Sequence, residues 1–231
     1  MSYNLWSNFK TSELSFWDHW IINKGSRNEN SKKKIEFKFR MDPSSYLQKY
    51  INNILKDNFN LNSTIEILDV GAGPCTYLGK KSNEFNLKIT ATDALADLYY
   101  RNNFNPPIKT IQLETEKLST KFKEEYFDFI FSRNALDHHY DPLLSIEQML
   151  FVLKKKGIML LEHRTNEAVI ENYHGLHQFN LCVKNNDFYI WNKKININVS
   201  EYLKNKYNCD IKILDHDNGI KDYHFVLIKK N

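Results

Sequence analysis

The run ILDVGAG, residues 67–73, limits what this 231-residue chain can fold into more than any other stretch. The sequence holds only 7 glycines, and Gly71 and Gly73 stand two residues apart directly after an apolar strand pattern. Glycines at such a place let the backbone turn sharply and let a ligand approach where a Cβ would clash. A strand that ends this way and opens into a helix begins a nucleotide-cradling βαβ unit. Thr76 stands where the third glycine of the dinucleotide fingerprint belongs, which makes the loop less suited to a pyrophosphate. Asp93 closes the next apolar run, about 20 residues on, where such folds place the acid that binds ribose hydroxyls.

The rest of the chain repeats that alternation. Strand patterns fall at residues 64–70, 87–93, 108–114, 126–134 and 157–163, with helical patterns at 74–83, 94–103 and 141–155. In the last of these Leu143, Leu144, Ile146, Met149, Leu150 and Leu153 keep helical spacing, Asp141 can cap, and Pro142 suits the first turn. Strands alternating with helices predict a parallel sheet covered on both faces. Beyond Arg164 a hairpin is expected at 180–192, turning at Asn185 and Asn186, then a helix at 200–208. Two closing strands at 210–230, joined at Asp217, Asn218 and Gly219, would make an antiparallel hairpin at the sheet edge. Before residue 63 two helices are expected. Residues 12–25 place Leu14, Trp17, Trp20 and Ile21 on one face, ending at Gly25, and residues 42–58 form the second. Residues 1–62 therefore read as a helical extension, with the aromatic helix able to act as a lid, and residues 63–231 as the main domain.

Composition narrows the function. No run approaches the roughly 20 apolar residues of a membrane span, and the first ten residues lack the pattern of a signal peptide, so a cytoplasmic protein is expected. Cys75, Cys182 and Cys209 are odd in number and show no CxxC spacing, which indicates neither a disulfide framework nor a zinc site. The formal net charge is only +4, and the lysine runs at 32–34 and 154–156 are short and read as solvated faces. No nucleic-acid partner is expected.

Residues 64–164 resemble the class I methyltransferases that use S-adenosylmethionine (SAM). ILDVGAG is similar to that family's first motif and ATD, residues 91–93, to its second. The resemblance implies a doubly wound, mostly parallel, seven-stranded Rossmann-like sheet, with SAM as cofactor and S-adenosylhomocysteine as product. It implies that Asp69 organises the methionine end, that Gly71, Ala72 and Gly73 pass under the cofactor, and that Asp93 and Ala94 meet the ribose. Glu114 and Thr115, where the family usually has Asp-Ala, would face the adenine, and Asn134 would lie beside the methionine moiety. The stretches at 132–150 and 161–180 also resemble a narrower group found among capsule and lipopolysaccharide genes, believed to methylate sugars or sugar-linked groups.

Five of the eight histidines, His138, His139, His163, His174 and His177, fall between the fourth strand pattern and the segment after the fifth, with His163 at the tip of the fifth. Ligands in open α/β sheets sit outside the carboxyl ends of the strands. A hydroxyl is a poor nucleophile at neutral pH, so a base must take its proton, and histidine oriented by a carboxylate suits that task. His138 or His163 is the expected base, with Asp137 as orienter. The same residues, with His177, could instead form a mixed N/O metal site, but no compact ligand motif is present and none is expected. His139, Asn166, Tyr173, His174, His177 and Gln178 are candidate contacts for a hydroxylated, sugar-like small molecule. A homodimer is compatible with this reading. The alternatives are an acceptor with a phosphate-type oxygen, which would call Arg133 or Arg164 into the pocket, a small-molecule amine, and a non-catalytic SAM-binding protein. SRNALDH replaces the Pro-Pro motif of amino-directed nucleic-acid enzymes, and no cysteine ends the fourth or fifth strand for carbon-directed pyrimidine chemistry.

Overall fold

The apolar run at 64–70 becomes an interior strand of a sheet in the computed structural model, which describes residues 1–100, 104–214 and 222–231. In chain order the elements are α1 (Tyr3–Ile22), α2 (Lys32–Met41), α3 (Lys49–Asn58), β1 (Thr64–Val70), β2 (Asn86–Asp93), α4 (Ala96–Tyr99), β3 (Thr110–Gln112) and β4 (Phe127–Arg133). There follow α5 (Pro142–Val152), β5 (Leu153–Arg164), α6 (Glu167–Ile170), β6 (Asn180–Lys184), β7 (Asp187–Trp191), β8 (Asn196–Asn198), α7 (Val199–Tyr207), β9 (Cys209–Leu214) and β10 (Tyr223–Lys230). The large sheet runs β3-β2-β1-β4-β5-β10-β9. Strands β3 to β5 pair in parallel, while β10 is antiparallel to both β5 and β9. The expected edge hairpin is present, although its turn lies outside the described residues.

Alternation along each strand feeds two cores. Ile65 and Ile67 of β1, Phe129 and Phe131 of β4, and Ile158 and Leu160 of β5 pack with Ile51 and Leu55 of α3. Leu68, Val70, Ile130, Met159 and Leu161 point the other way, against Ile146, Met149 and Leu150 of α5, Leu203 of α7 and Leu181 of β6. These side chains are almost fully buried, so cutting one to alanine should cost about 2–5 kcal/mol. The β6-β7 hairpin turns through Asn185 and Asn186, both at positive φ, and β8 adds a third strand to this small sheet. Asp141 caps α5 as expected, accepting from the Leu144 N–H at 3.0 Å.

Several expectations differ: three helices, not two, precede residue 63, and the first starts at Tyr3 rather than at residue 12. Residues 74–83 form no helix, because groups from the N-terminal segment satisfy their backbone instead. Arg40 donates to the Cys75 carbonyl at 2.9 Å, and the N–H groups of Lys80 and Lys81 donate to the Ser45 carbonyl at 2.7 and 3.0 Å. A Cβ at Gly79 would stand 2.1 Å from the Tyr46 carbonyl oxygen, so the two segments touch backbone to backbone. For the same reason the helix expected at 42–58 begins only at Lys49: Tyr46 bridges to Lys81, and the Asp42 carboxylate holds the Ser44 N–H at 2.8 Å. The helix expected at 94–103 shrinks to α4, with 101–103 outside the described residues. The lysine run at 32–34 is part of α2, capped by Ser31; Lys32 and Lys33 are exposed as expected, and Lys34 alone is buried, pairing with Glu29 at 2.9 Å. No helix among the described residues is long and apolar enough to cross a membrane.

Candidate cofactor and acceptor site

The strand order reverses between β1 and β4, and two adjoining clefts open at the carboxyl ends of the strands there. Gly71 and Gly73 take φ of +67° and +65°, so the turn after β1 uses their freedom directly. A Cβ on Gly71 would fall 2.3 Å from that of Ala135, and one on Gly73 2.7 Å from the Trp17 ring. Asp69, at the end of β1, is buried and accepts from the Thr76 hydroxyl at 2.5 Å. Burial pushes its carboxyl up to about 6, against the opposing effects of that hydrogen bond and of Arg40. Asp93 accepts from the Gly73 N–H at 3.0 Å, the Leu95 N–H at 2.8 Å and the Tyr99 hydroxyl at 3.0 Å. It thereby ties the ends of β1 and β2 together, and burial again raises its carboxyl.

The first cleft is narrow, with room for about 60 Å³. Its walls include Gly71, Asp93, Ala94, Thr115, Asn134 and His139, and α1 closes it with Trp6, Lys10, Glu13 and Trp17. The second cleft, with room for about 570 Å³, is lined by aromatic rings (Phe16, Trp17, Trp20, Tyr77, Tyr223) and by charges of both signs. Glu13, Trp17, Gly71, Asn134 and His138 line both clefts, so they mark the seam between them.

A cluster of three side chains sits at that seam. Asp137 and His138 lie in a 3₁₀ turn after β4, and His177 comes from the loop between α6 and β6. His177 Nδ1 stands 2.7 Å from Asp137 Oδ2, His138 Nε2 stands 3.0 Å from His177 Nδ1, and His138 Nε2 stands 3.3 Å from Asp137 Oδ2. Asp137 is 1% exposed, and although burial favours its neutral form, the neighbouring imidazoles hold its carboxyl below the usual carboxylate range. His138 is pushed the other way, upward, by Asp137 and Glu13 against the effect of burial. On its other side, His138 Nδ1 lies 3.9 Å from Glu13 Oε2.

The remaining expected site residues are dispersed. His163 is 1% exposed on β5, in register with His224 of β10, and does not line either cleft. Burial holds it neutral, with its ring pushed down to about 3. Glu114 turns away to accept from the Tyr3 hydroxyl at 2.8 Å, and Glu116, which the sequence reading passed over, lines the first cleft beside Thr115. Asn166 accepts from the Trp191 indole at 3.0 Å, Tyr173 accepts from Asn180 at 3.1 Å, and Gln178 donates to the Tyr173 and Gly175 carbonyls. These three and His174 stand outside the walls of both clefts. Trp6, Lys10 and Glu13 were missed, although with Trp17 they follow steps of four, three and four, the spacing of one helical stripe.

Residues 68–161, from β1 to β5, match the methyltransferase-domain family. No curated protein matches the sequence. Among solved structures, the CurJ carbon methyltransferase aligns over 78% of this chain and 53% of its own at 13% identity, TM-score 0.50, so the chain spans about half of that protein. A SAM-dependent methyltransferase from Aquifex aeolicus aligns over 87% of this chain and 95% of its own at 15% identity, TM-score 0.48. The Haemonchus contortus phosphoethanolamine N-methyltransferase 2, solved with phosphomonomethylethanolamine and S-adenosylhomocysteine, aligns over 88% and 58% at 15% identity, TM-score 0.48. Gly71, Gly73 and Asp93 all lie within residues 68–161, so the glycine turn at the switch point and the acid at the end of β2 belong to the part of the chain that matches the methyltransferase domain.

Proposed function

We propose that the chain methylates a hydroxyl of a sugar or nucleotide-linked sugar, in the synthesis of surface polysaccharide, with SAM in the first cleft and the acceptor in the second. The observation that carries this is the Asp137–His138–His177 cluster at the seam of the two clefts. Methyl transfer needs acceptor oxygen, methyl carbon and sulfur in line, so a hydroxyl-activating group is useful only at such a seam. As the new C–O bond forms, the C–S bond breaks, its electrons stay on sulfur, and the hydroxyl proton has to leave. A neighbouring imidazole or a bound cation can each draw that proton off, and of the two bases the sequence offers, His138 and His163, only His138 lines the clefts, with Asp137 as its orienter.

The second cleft suits a polyhydroxylated acceptor, with aromatic faces for ring stacking and many donors and acceptors. Arg133 and Arg164 both line it, as a phosphate-type acceptor would need. Their charge is already met, however, since Arg133 pairs with Glu162 at 2.7 Å and Arg164 lies 3.6 Å from Glu167 and from Glu171. The helical extension then serves as a lid, because α1 covers the first cleft and a cofactor must pass it to enter.

The test is methyl transfer from labelled SAM to a panel of nucleotide-linked sugars, free sugars, phosphoesters and amines. Label on a sugar hydroxyl supports the reading. Label on an amine or a phosphate oxygen, or none on any acceptor while SAM binds, overturns it.

A further inference from the structure

The three contacts in the Asp137–His138–His177 cluster cannot all be hydrogen bonds. An ionised carboxylate oxygen only accepts, and each imidazole nitrogen carries either one hydrogen or one lone pair. If both His177 Nδ1 and His138 Nε2 donate to Asp137 Oδ2, two N–H groups face each other at 3.0 Å. If only one donates, the other nitrogen sets its lone pair against the carboxylate oxygen. With Asp137 ionised, one edge of the triangle is therefore repulsive whichever imidazole nitrogens carry hydrogen.

A positive ion at its apex removes the conflict. Ligands about 2.1 Å from an ion and at right angles around it lie about 3.0 Å apart, and the three edges here are 2.7, 3.0 and 3.3 Å. Two further features point the same way. Asp137 Oδ1 is buried with no hydrogen-bond partner, so the carboxylate has unspent acceptor capacity. The free ring nitrogen of His138 is within ion-pair range of Glu13, at 3.9 Å, resembling the outer carboxylate that steadies a metal-bound histidine.

We infer that Asp137 Oδ2, His138 Nε2 and His177 Nδ1 form a three-point site for a divalent first-row transition-metal ion, with its open positions toward the acceptor cleft. Two imidazoles and one carboxylate suit Mn²⁺, Fe²⁺, Co²⁺, Ni²⁺ or Zn²⁺ better than Mg²⁺ or Ca²⁺, which favour oxygen ligands. The inference rests on the O-methylation reading and gives that reading its activating device. The acceptor hydroxyl binds the ion, which acidifies it. Its proton passes to the Glu13 carboxylate, the oxygen forms the C–O bond to the methyl carbon, and sulfur keeps the electrons of the broken C–S bond. His138 then acts as a ligand in place of a base.

The test uses the full chain, stripped with chelator and titrated calorimetrically with Mn²⁺, Zn²⁺ and Mg²⁺, with metal content measured after dialysis. S-adenosylhomocysteine is titrated into the same stripped sample, so that loss of the fold or of the methyltransferase reading shows separately. One equivalent of Mn²⁺ or Zn²⁺ should bind at least tenfold more tightly than Mg²⁺. His177→Gln and Asp137→Asn should each weaken it at least tenfold, with S-adenosylhomocysteine affinity and melting curves retained, while His19→Ala, on α1, leaves it unchanged. No stoichiometric metal on a sample that binds S-adenosylhomocysteine overturns the inference, as does metal binding that survives His177→Gln. Failure to bind S-adenosylhomocysteine with metal bound would instead count against the methyltransferase reading.

Discussion

The ring of Trp17 lies against Gly73, so close that a Cβ added at 73 would stand 2.7 Å from its Cζ2. The aromatic helix and the glycine turn, some fifty residues apart in sequence, form the floor and cover of one cleft.

That contact makes Gly73→Ala doubly unfavourable. The position needs φ of +65°, which costs a non-glycine residue about 1–2 kcal/mol, and the new methyl must push α1 away. The variant should melt earlier and bind SAM at least tenfold more weakly. Pairing it with Trp17→Ala relieves the clash and should return part of the affinity. Calorimetry on the two single variants and the double variant checks this. Strict additivity would mean that the lid does not rest on the loop.

Arg40 acts as a buried strut for the same loop. It donates to the Cys75 carbonyl at 2.9 Å and the Ala72 carbonyl at 3.5 Å, and pairs with Glu36 at 2.6 Å. Arg40→Leu leaves those carbonyls unpaired and Glu36 with only the Arg133 guanidinium, 3.9 Å away, a loss of about 1–3 kcal/mol. Chemical denaturation should show that loss, and proteolysis should find residues 72–81 newly accessible. Wild-type stability in Arg40→Leu would mean that the helix missing at 74–83 has some other cause.

Acid should destabilise the fold through two buried histidines. Burial lowers His163 to about 3 and His224 to about 4, both below the unfolded value near 6.5. A depressed folded pKa means that the unfolded state binds protons first. The stability these rings contribute is complete above about pH 6.5 and is lost as pH falls toward 3–4, by about 2 kcal/mol per ring at pH 5. His163→Leu should flatten the fall in melting temperature between pH 7 and pH 5. An unchanged pH profile would show that the ring is already hydrated or charged in the folded protein.

How much of this was legible in sequence depended on whether a signal was local. The strands at 64–70 and 126–134, the capped helix after Asp141 and the Asn185–Asn186 turn were readable because their burial or backbone needs repeat at short range. Residues 74–83 were not, because Arg40 and Ser45 replace helical hydrogen bonds from far along the chain. The site divided in the same way. Asp137 and His138 were found by their place after β4, and their meeting with His177 depends on a loop whose path no periodicity encodes. His163 has the same chemistry and the same kind of position, yet its neighbour on β10 seals it into the interior.

The central claim is that the glycine turn and Asp93 seat SAM, and the most direct measurement is titration of the protein and of Asp93→Ala with SAM and S-adenosylhomocysteine. The account predicts one site of micromolar affinity for both ligands in the wild type, weakened at least tenfold in Asp93→Ala, whose lost carboxylate also frees the Gly73 N–H. Binding that is absent in the wild type, or unchanged in the variant, would contradict it.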